Sequence, residues 1–199
     1  ATLRDTRSTG YNYTVAKIGN LCWMTQNLML GSSSTVALTS ATSNVSSSGY
    51  TLPARGTSGT SYSGQYVWGN DTQCTSSSTT ACAGYYSYAT ATAGTNPSSG
   101  TSSYDICPAN WRLPTSAELT TLEKTYTSGA TLTASPFLGV YAGRYNNSSF
   151  YDGGSVGYYW SSTAYNSSLA DRLYFGSSSA GINGTTKYYG YSIRCVAKS

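Results

Sequence analysis

Among the residue types that carry chemistry, this chain of 199 residues has five cysteines, seven carboxylates, eleven Lys plus Arg, and no histidine. Without an imidazole, no Ser–His or Cys–His arrangement can be assembled. The acids are Asp5, Asp71, Asp105, Glu118, Glu123, Asp152 and Asp171, and they form no recognisable pair for glycoside hydrolysis. A calcium site needs several carboxylates close together, and only Asp152 with Asp171 can contribute from the C-terminal third, so no metal and no cofactor are expected. The cysteines Cys22, Cys74, Cys82, Cys107 and Cys195 contain no CxxC. Their dispersal favours disulfides in an exported protein over a zinc site. An odd count leaves at least one thiol unpaired, and two bridges among five cysteines allow about fifteen pairings. Cys74 and Cys82 bracket a Ser/Thr-rich loop and read as a local staple, while Cys107 with Cys195 would tie the entrance of a helix to the final strand. Cys22 is the expected odd thiol, with Cys22–Cys107 or Cys22–Cys195 as the alternative.

What remains is binding chemistry. The stretch from Tyr145 to Tyr189 is dense in Tyr, Asn, Ser, Gly and single charged residues, the mix that antibody loops use, in which rigid amphipathic rings supply area and small polar groups supply adaptable hydrogen bonds. Tyr145, Asn147, Tyr151, Asp152, Tyr165, Asn166 and Lys187 are its candidate contacts. Tyr and Ser are also plentiful elsewhere in the chain, so composition alone does not single the stretch out. The run Ala170-Asp-Arg-Leu-Tyr-Phe175 does more, because strict alternation sets Leu173 and Phe175 on one face of a strand and Arg172 and Tyr174 on the other.

These residues need elements to position them, and one helix is plain. Thr115 followed three residues later by Glu118 is a capping box, with Pro114 just ahead of it. Leu119, Leu122 and Tyr126 then fall at i, i+3 and i+7 on a single stripe. The helix is expected over about 115–127, with Gly129 as its stop. Tyr11–Ile18, the turn signal Gly19-Asn20 and Leu21–Leu28 predict a β-hairpin. Residues 31–65 read as a Ser/Thr/Gly-rich insertion, mostly loop, with Thr35–Leu38 extended. Tyr66–Trp68 is a candidate strand, and Tyr85–Ala93 is open between helix and strand. Phe137–Gly143 is expected to begin a second extended region, Tyr145–Gly154 to be loop, and Tyr191–Val196 to close the fold as a strand with either Ile193 or Tyr191 and Cys195 inward.

Composition narrows the class further. Tyr supplies 20 residues against 3 Phe and 4 Trp, so much apolar surface carries a hydroxyl and many rings are expected outside. Charged residues are 9%, the formal net charge is +4 and the cations are scattered, which is no nucleic-acid footprint. No apolar run is long enough to cross a membrane. The reading is one α+β domain, residues 1–199, of irregular antiparallel β structure with one clear helix and long loops. It is expected to be extracellular or at a cell surface, with a signal peptide or anchor removed ahead of Ala1.

Three segments carry a resemblance: Lys17-Ile-Gly-Asn-Leu-Cys-Trp-Met-Thr-Gln-Asn-Leu28, Cys107-Pro-x-x-Trp-Arg-Leu-Pro-Thr-x-x-Glu-Leu119, and Tyr159-Trp-Ser-Ser-Thr163 with Gly190-Tyr-Ser-Ile-Arg-Cys-Val196. Together they resemble the bacterial Fibrobacter succinogenes major paralogous domain, whose members look like C-type-lectin-fold proteins of the formylglycine-generating-enzyme type. The resemblance implies a mixed core with the N- and C-terminal strands side by side. It does not carry the enzyme's chemistry, since that needs a copper-binding pair of reactive cysteines in the C-terminal part, where only Cys195 stands. The C-terminal pattern is also similar to the variable proteins of diversity-generating retroelements, in which adenine-directed mutagenesis rewrites Asn-type codons. By that similarity Asp171, Arg172, Tyr174, Gly176, Ser178, Asn183, Tyr188 and Tyr189 would be diversified, within a variable ligand-binding region at about 145–191. Trp160, Ser161, Ser162, Thr163, Leu173, Phe175, Ile193, Arg194 and Cys195 would be framework. The implied protein is a monomeric cell-surface or secreted receptor for a protein or surface-glycan ligand, not an enzyme. The alternatives are a structural envelope or pilus-associated subunit, or a formylglycine-generating-type enzyme.

Overall fold

Alternation near the N-terminus produces the hairpin it implies, and the chain's last residues join it. The computed structural model describes residues 1–7 and 10–198. Strand β1 (Thr2–Arg4) lies antiparallel on β2 (Asn12–Ile18), which turns through Gly19 into β3 (Leu21–Met24). Gly19 sits at φ +59°, in the left-handed region that a side chain disfavours. The insertion supplies a short hairpin, β4 (Val36–Leu38) with β5 (Tyr50–Leu52). Leu38, Val45 and Leu52 are all buried, so this segment is packed into the body rather than looped out from it. Strands β6 (Val67–Gly69) and β7 (Gly84–Tyr86) pair on either side of the Cys74–Cys82 disulfide. The open stretch after them resolves into the end of β7 and a single helical turn, α1 (Tyr88–Ala91).

Strands β8 (Gly100–Thr101) and β9 (Trp111–Arg112) lead into α2 (Ser116–Thr125). Its capping box is formed as expected, with Thr115 Oγ1 accepting from Glu118 N and Glu118 Oε2 accepting from Thr115 N. Glu118 also holds Arg112 in a two-point ion pair. Gly129 does not stop this helix. It opens α3 (Gly129–Leu132) instead, and a Cβ there would lie 2.0 Å from the Gly176 carbonyl oxygen, so its role is close approach. Phe137–Gly143 forms no strand, whereas the segment read as loop makes the hairpin β10 (Arg144–Asn146) and β11 (Ser149–Tyr151). The C-terminal third is β12 (Val156–Ala164), β13 (Leu169–Gly176), β14 (Ser179–Thr186) and β15 (Val196–Ala197). The expected closing strand is therefore short, and Tyr191, Ile193 and Cys195 ahead of it are all buried, so both proposed registers face core.

Two main sheets result. One has the order β1-β2-β3-β15-β9 and sets the N- and C-terminal strands side by side, with Val196 opposite Trp23. The other has the order β14-β13-β12-β8. Helix α2 covers one face of the second sheet. There Leu119 and Leu122 pack with Leu173, Phe175, Tyr159, Phe137 and Trp23. The other face carries Trp160 and Ala170 in a cluster with Tyr86, Tyr88, Tyr191 and Ile193. The Cys107–Cys195 disulfide lies within that cluster.

Many tyrosines are thus inside, against the expectation from composition. Tyr13, Tyr85, Tyr86, Tyr88, Tyr158, Tyr159 and Tyr191 are buried. Their hydroxyls find partners, as buried phenols require: backbone groups for Tyr13, Tyr85, Tyr86, Tyr88 and Tyr159, and side chains for Tyr158 and Tyr191. Tyr13 Oη accepts from Met29 N, Tyr86 Oη accepts from Leu30 N and donates to its carbonyl, and Tyr88 Oη donates to the Ser162 carbonyl.

Candidate functional site

Strand β13 divides its residues by face as the alternation requires. Leu173 and Phe175 are fully buried, while Arg172 and Tyr174 are partly exposed. Register places Arg172 opposite Trp160 and Asn183, and Tyr174 opposite Tyr158 and Gly181. Arg172 Nη1 donates to Asn183 Oδ1 at 2.6 Å and Nε donates to Tyr191 Oη at 3.3 Å. Its guanidinium carbon stands 4.8 Å from the ring centroid of Tyr174, 5.1 Å from Tyr158 and 5.7 Å from Tyr191. These are cation–π distances.

A second guanidinium enters from the β10–β11 hairpin. Arg144 Nε donates to Asp152 Oδ2 at 2.9 Å, and Tyr158 Oη donates to the same oxygen at 2.9 Å. The Arg144 guanidinium carbon lies 5.0 Å from the Tyr189 centroid, 5.4 Å from Tyr151 and 5.9 Å from Tyr158. Burial opposes the charge on Arg144, but the Asp152 carboxylate more than offsets it and holds the guanidinium above its ordinary pKa. Burial, followed by the hydrogen bond to Asp152, pushes Tyr158 up to about 12, so it remains a donor at neutral pH. The Tyr158 ring is therefore a shared wall between two cations, and it stacks on Tyr191 at 5.0 Å and 19°.

Of the residues expected to bind, the structure gathers Tyr151, Asp152, Arg172, Tyr174, Asn183 and Tyr189 around this pair of arginines. Tyr188 extends the group by packing on Tyr189 at 5.2 Å and on Tyr62 of the insertion at 5.7 Å. Tyr145 packs instead in the neighbouring cluster with Tyr85 and Phe150, stacked flat on Trp68 at 5.4 Å and 8°. Asn147 is the left-handed turn residue of the β10–β11 hairpin, at φ +55°. Other candidates lie elsewhere. Asp171 points to the opposite face of β13, where a Cβ on its partner Gly184 would be 3.8 Å from its carboxylate and 3.7 Å from the 68% exposed Tyr165. Asn166 caps the β12–β13 turn, its Oδ1 accepting from Ser168 N and Leu169 N. Gly176 and Ser178 lie at the β13–β14 turn, with the Gly176 carbonyl against α3.

Lys187 corrects the expectation most clearly, because its side chain is buried. Its Nζ donates to the Pro97 carbonyl at 2.7 Å and lies over the Tyr88 ring at 5.1 Å. Burial without a carboxylate lowers its pKa, and it serves packing rather than an exposed surface. Three central members were missed from sequence: Arg144, Tyr158 and Tyr191. The two-residue spacing of Tyr158 and Trp160 signals a common face, but Arg144 and Tyr191 reach the group only through tertiary contacts.

The surface so built offers guanidinium N–H groups, phenol hydroxyls and one carboxylate. Asp152 and Asp171 are not brought together, and among the described residues no three of Cys, Asp or Glu converge. Cys195, the one cysteine of the C-terminal third, is bonded to Cys107, and Cys22 is free and exposed. Among the described residues no helix is long and apolar enough to cross a membrane. The family described as the Fibrobacter succinogenes major domain matches residues 16–197, from within β2 to the end of β15, and the chain belongs to that family. No curated protein and no solved structure matches it.

Proposed function

We propose that the chain is an exported binding module, displayed at the cell surface or secreted, that presents a diversified ligand-binding face on a C-type-lectin-like scaffold. Its nearest functional type is the variable protein of a diversity-generating retroelement, and its ligand is a macromolecule on another surface. The observation that carries this reading is the division of β13. Leu173 and Phe175 are sealed in the core, while Arg172 and Tyr174 open onto a continuous group with Asn183, Tyr189 and Arg144. Residues of the framework pattern support it from the other side. Trp160, Ser161, Ser162, Ile193, Arg194 and Cys195 are all buried. Trp160 Nε1 donates to the Tyr86 carbonyl at 2.7 Å, and Arg194 Nε donates to Asn27 Oδ1 at 3.1 Å. Substitutions at such positions would break packing, whereas the open positions tolerate exchange.

The chemistry of the residues weighs against catalysis of the formylglycine-generating type. There is no histidine, and the disulfide to Cys107 leaves Cys195 no thiolate to bind copper or attack a substrate. The test is genomic. A second, non-coding copy of the segment encoding 145–191, with a reverse transcriptase gene beside it, is expected next to this gene. A locus with neither would overturn the diversified reading.

A further inference from the structure

We propose that the face takes an acidic protein segment, with Arg144 and Arg172 each receiving one of its carboxylates. The inference rests on reading the face as a binding surface and names what that surface binds. Arg144 uses only Nε, toward Asp152, and its Nη1 and Nη2 have no acceptor among the described residues. Neither atom is sealed from solvent, and the side chain is 24% exposed. Arg172 uses Nε and Nη1 and leaves Nη2 without an acceptor among the described residues. A guanidinium carries five donors in a rigid plane, and the paired amino groups of Arg144 are the edge that matches a carboxylate at two points. The surrounding rings hold both planes in place, so little side-chain freedom is lost when a partner arrives.

Charge points the same way. Among the described residues Asp152 is the one carboxylate bound to either guanidinium, and Asp171 lies on the other side of the sheet. Two half-buried cations with one counter-ion leave the face positive in a chain whose formal net charge is +4, and an anion placed there gains from the partly dehydrated setting. Spacing sets the form of the partner. Both guanidinium carbons stand within 6 Å of the same Tyr158 ring, so they can be separated by no more than the sum of those two distances. An extended chain sets alternate side chains about 7 Å apart on one side, which lets Asp or Glu at i and i+2 reach both. An anionic polysaccharide fits less well. Sugars dock on open ring faces, and here Tyr158 is stacked on Tyr191 while Tyr174, Tyr189 and Tyr151 each lie beside a guanidinium.

The test titrates the whole chain with the peptide Gly-Glu-Gly-Glu-Gly-Glu-Gly, with its Glu→Gln counterpart, and with oligogalacturonate, by calorimetry at low and physiological salt. The Glu peptide is expected to bind and the Gln peptide to fail. Arg144→Gln and Arg172→Gln should each weaken binding about tenfold, with Arg144→Lys recovering part of the loss. Raising salt should weaken binding as well. Circular dichroism melts of each variant establish that the fold is intact, and Arg144→Lys keeps the test available if a Gln variant unfolds. Equal binding of the two peptides, binding unaffected in folded Arg variants, no binding of either peptide, or tighter binding of oligogalacturonate would each overturn the proposal. The binding-face reading itself is judged by sequence variation at the same positions, so either can fail without the other.

Discussion

Leu173→Ala probes the division of faces at its centre. Leu173 is fully buried, in register between Tyr159 of β12 and Ile182 of β14, and in one cluster with Leu119 and Leu122 of α2. The substitution removes three carbons, a transfer loss of about 2 kcal/mol at ~0.8 kcal/mol per methylene. A cavity adds to this if its walls cannot close, and here they are stiff. Tyr159 and Phe175 are stacked at 5.8 Å and 16°, and Phe137 meets both Trp23 and Tyr159 edge-on. The Tyr159 hydroxyl is fixed by donating to Asn27 Oδ1 and accepting from Val140 N. The expected loss is therefore about 3–5 kcal/mol, read as a lower urea midpoint with an unchanged m-value. Arg172→Ala, which loses two hydrogen bonds and its ring contacts at a partly exposed position, should cost less, about 1.5–2.5 kcal/mol. A smaller loss for Leu173→Ala than for Arg172→Ala would refute the assignment of faces.

Two further outcomes follow from buried groups. Desolvation pushes Asp105 up to about 6 against hydrogen bonds from Leu113 N, Cys107 N and Asn44 Nδ2, with Lys198 bonded to the same Asn44. Because its folded pKa exceeds the unfolded value, the native state binds the extra proton between about pH 4 and 6. Unfolding free energy should then fall by on the order of 2–3 kcal/mol as pH rises through that window and level off above it; urea melts of wild type and Asp105→Asn across the range check this, and an unchanged slope in the variant would contradict it. The Cys107–Cys195 bridge spans 88 residues and Cys74–Cys82 spans 8. Loop entropy makes the first worth about 4–5 kcal/mol and the second about 2–3 kcal/mol, so Cys107→Ala/Cys195→Ala should lower Tm more than Cys74→Ala/Cys82→Ala, and thiol titration of the native chain should find Cys22 alone.

What was legible in the sequence was whatever local chemistry decides. Thr115 and Glu118 cap a helix through neighbours three residues apart, Gly19 turns a hairpin, and β13 alternates because adjacent side chains must point to opposite faces. The rest depended on partners far along the chain. Nothing in the sequence near Tyr86 shows that its ring is buried, because Leu30, 56 residues away, supplies its hydrogen bonds. Lys187 reads as an exposed contact until the Pro97 carbonyl, 90 residues away, takes its ammonium. Gly129 has the look of a helix stop, but what demands glycine there is the Gly176 carbonyl on another element. Arg144 joined the candidate site only when its hairpin folded across Tyr158 and Tyr189. Asp171 left it because alternation on β13 separates it from Arg172, a consequence already present in the sequence.

Sequencing this gene from many cells of one population tests the claim of a diversified face most directly. A diversified face predicts substitutions concentrated at Arg172, Tyr174, Asn183, Tyr188 and Tyr189, which lie on or beside the Arg144 group, with Trp160, Leu173, Phe175 and Cys195 unchanged in the core. Substitutions falling on Leu173 and Phe175 as often as on Arg172 and Tyr174, or spread evenly along the chain, would contradict it.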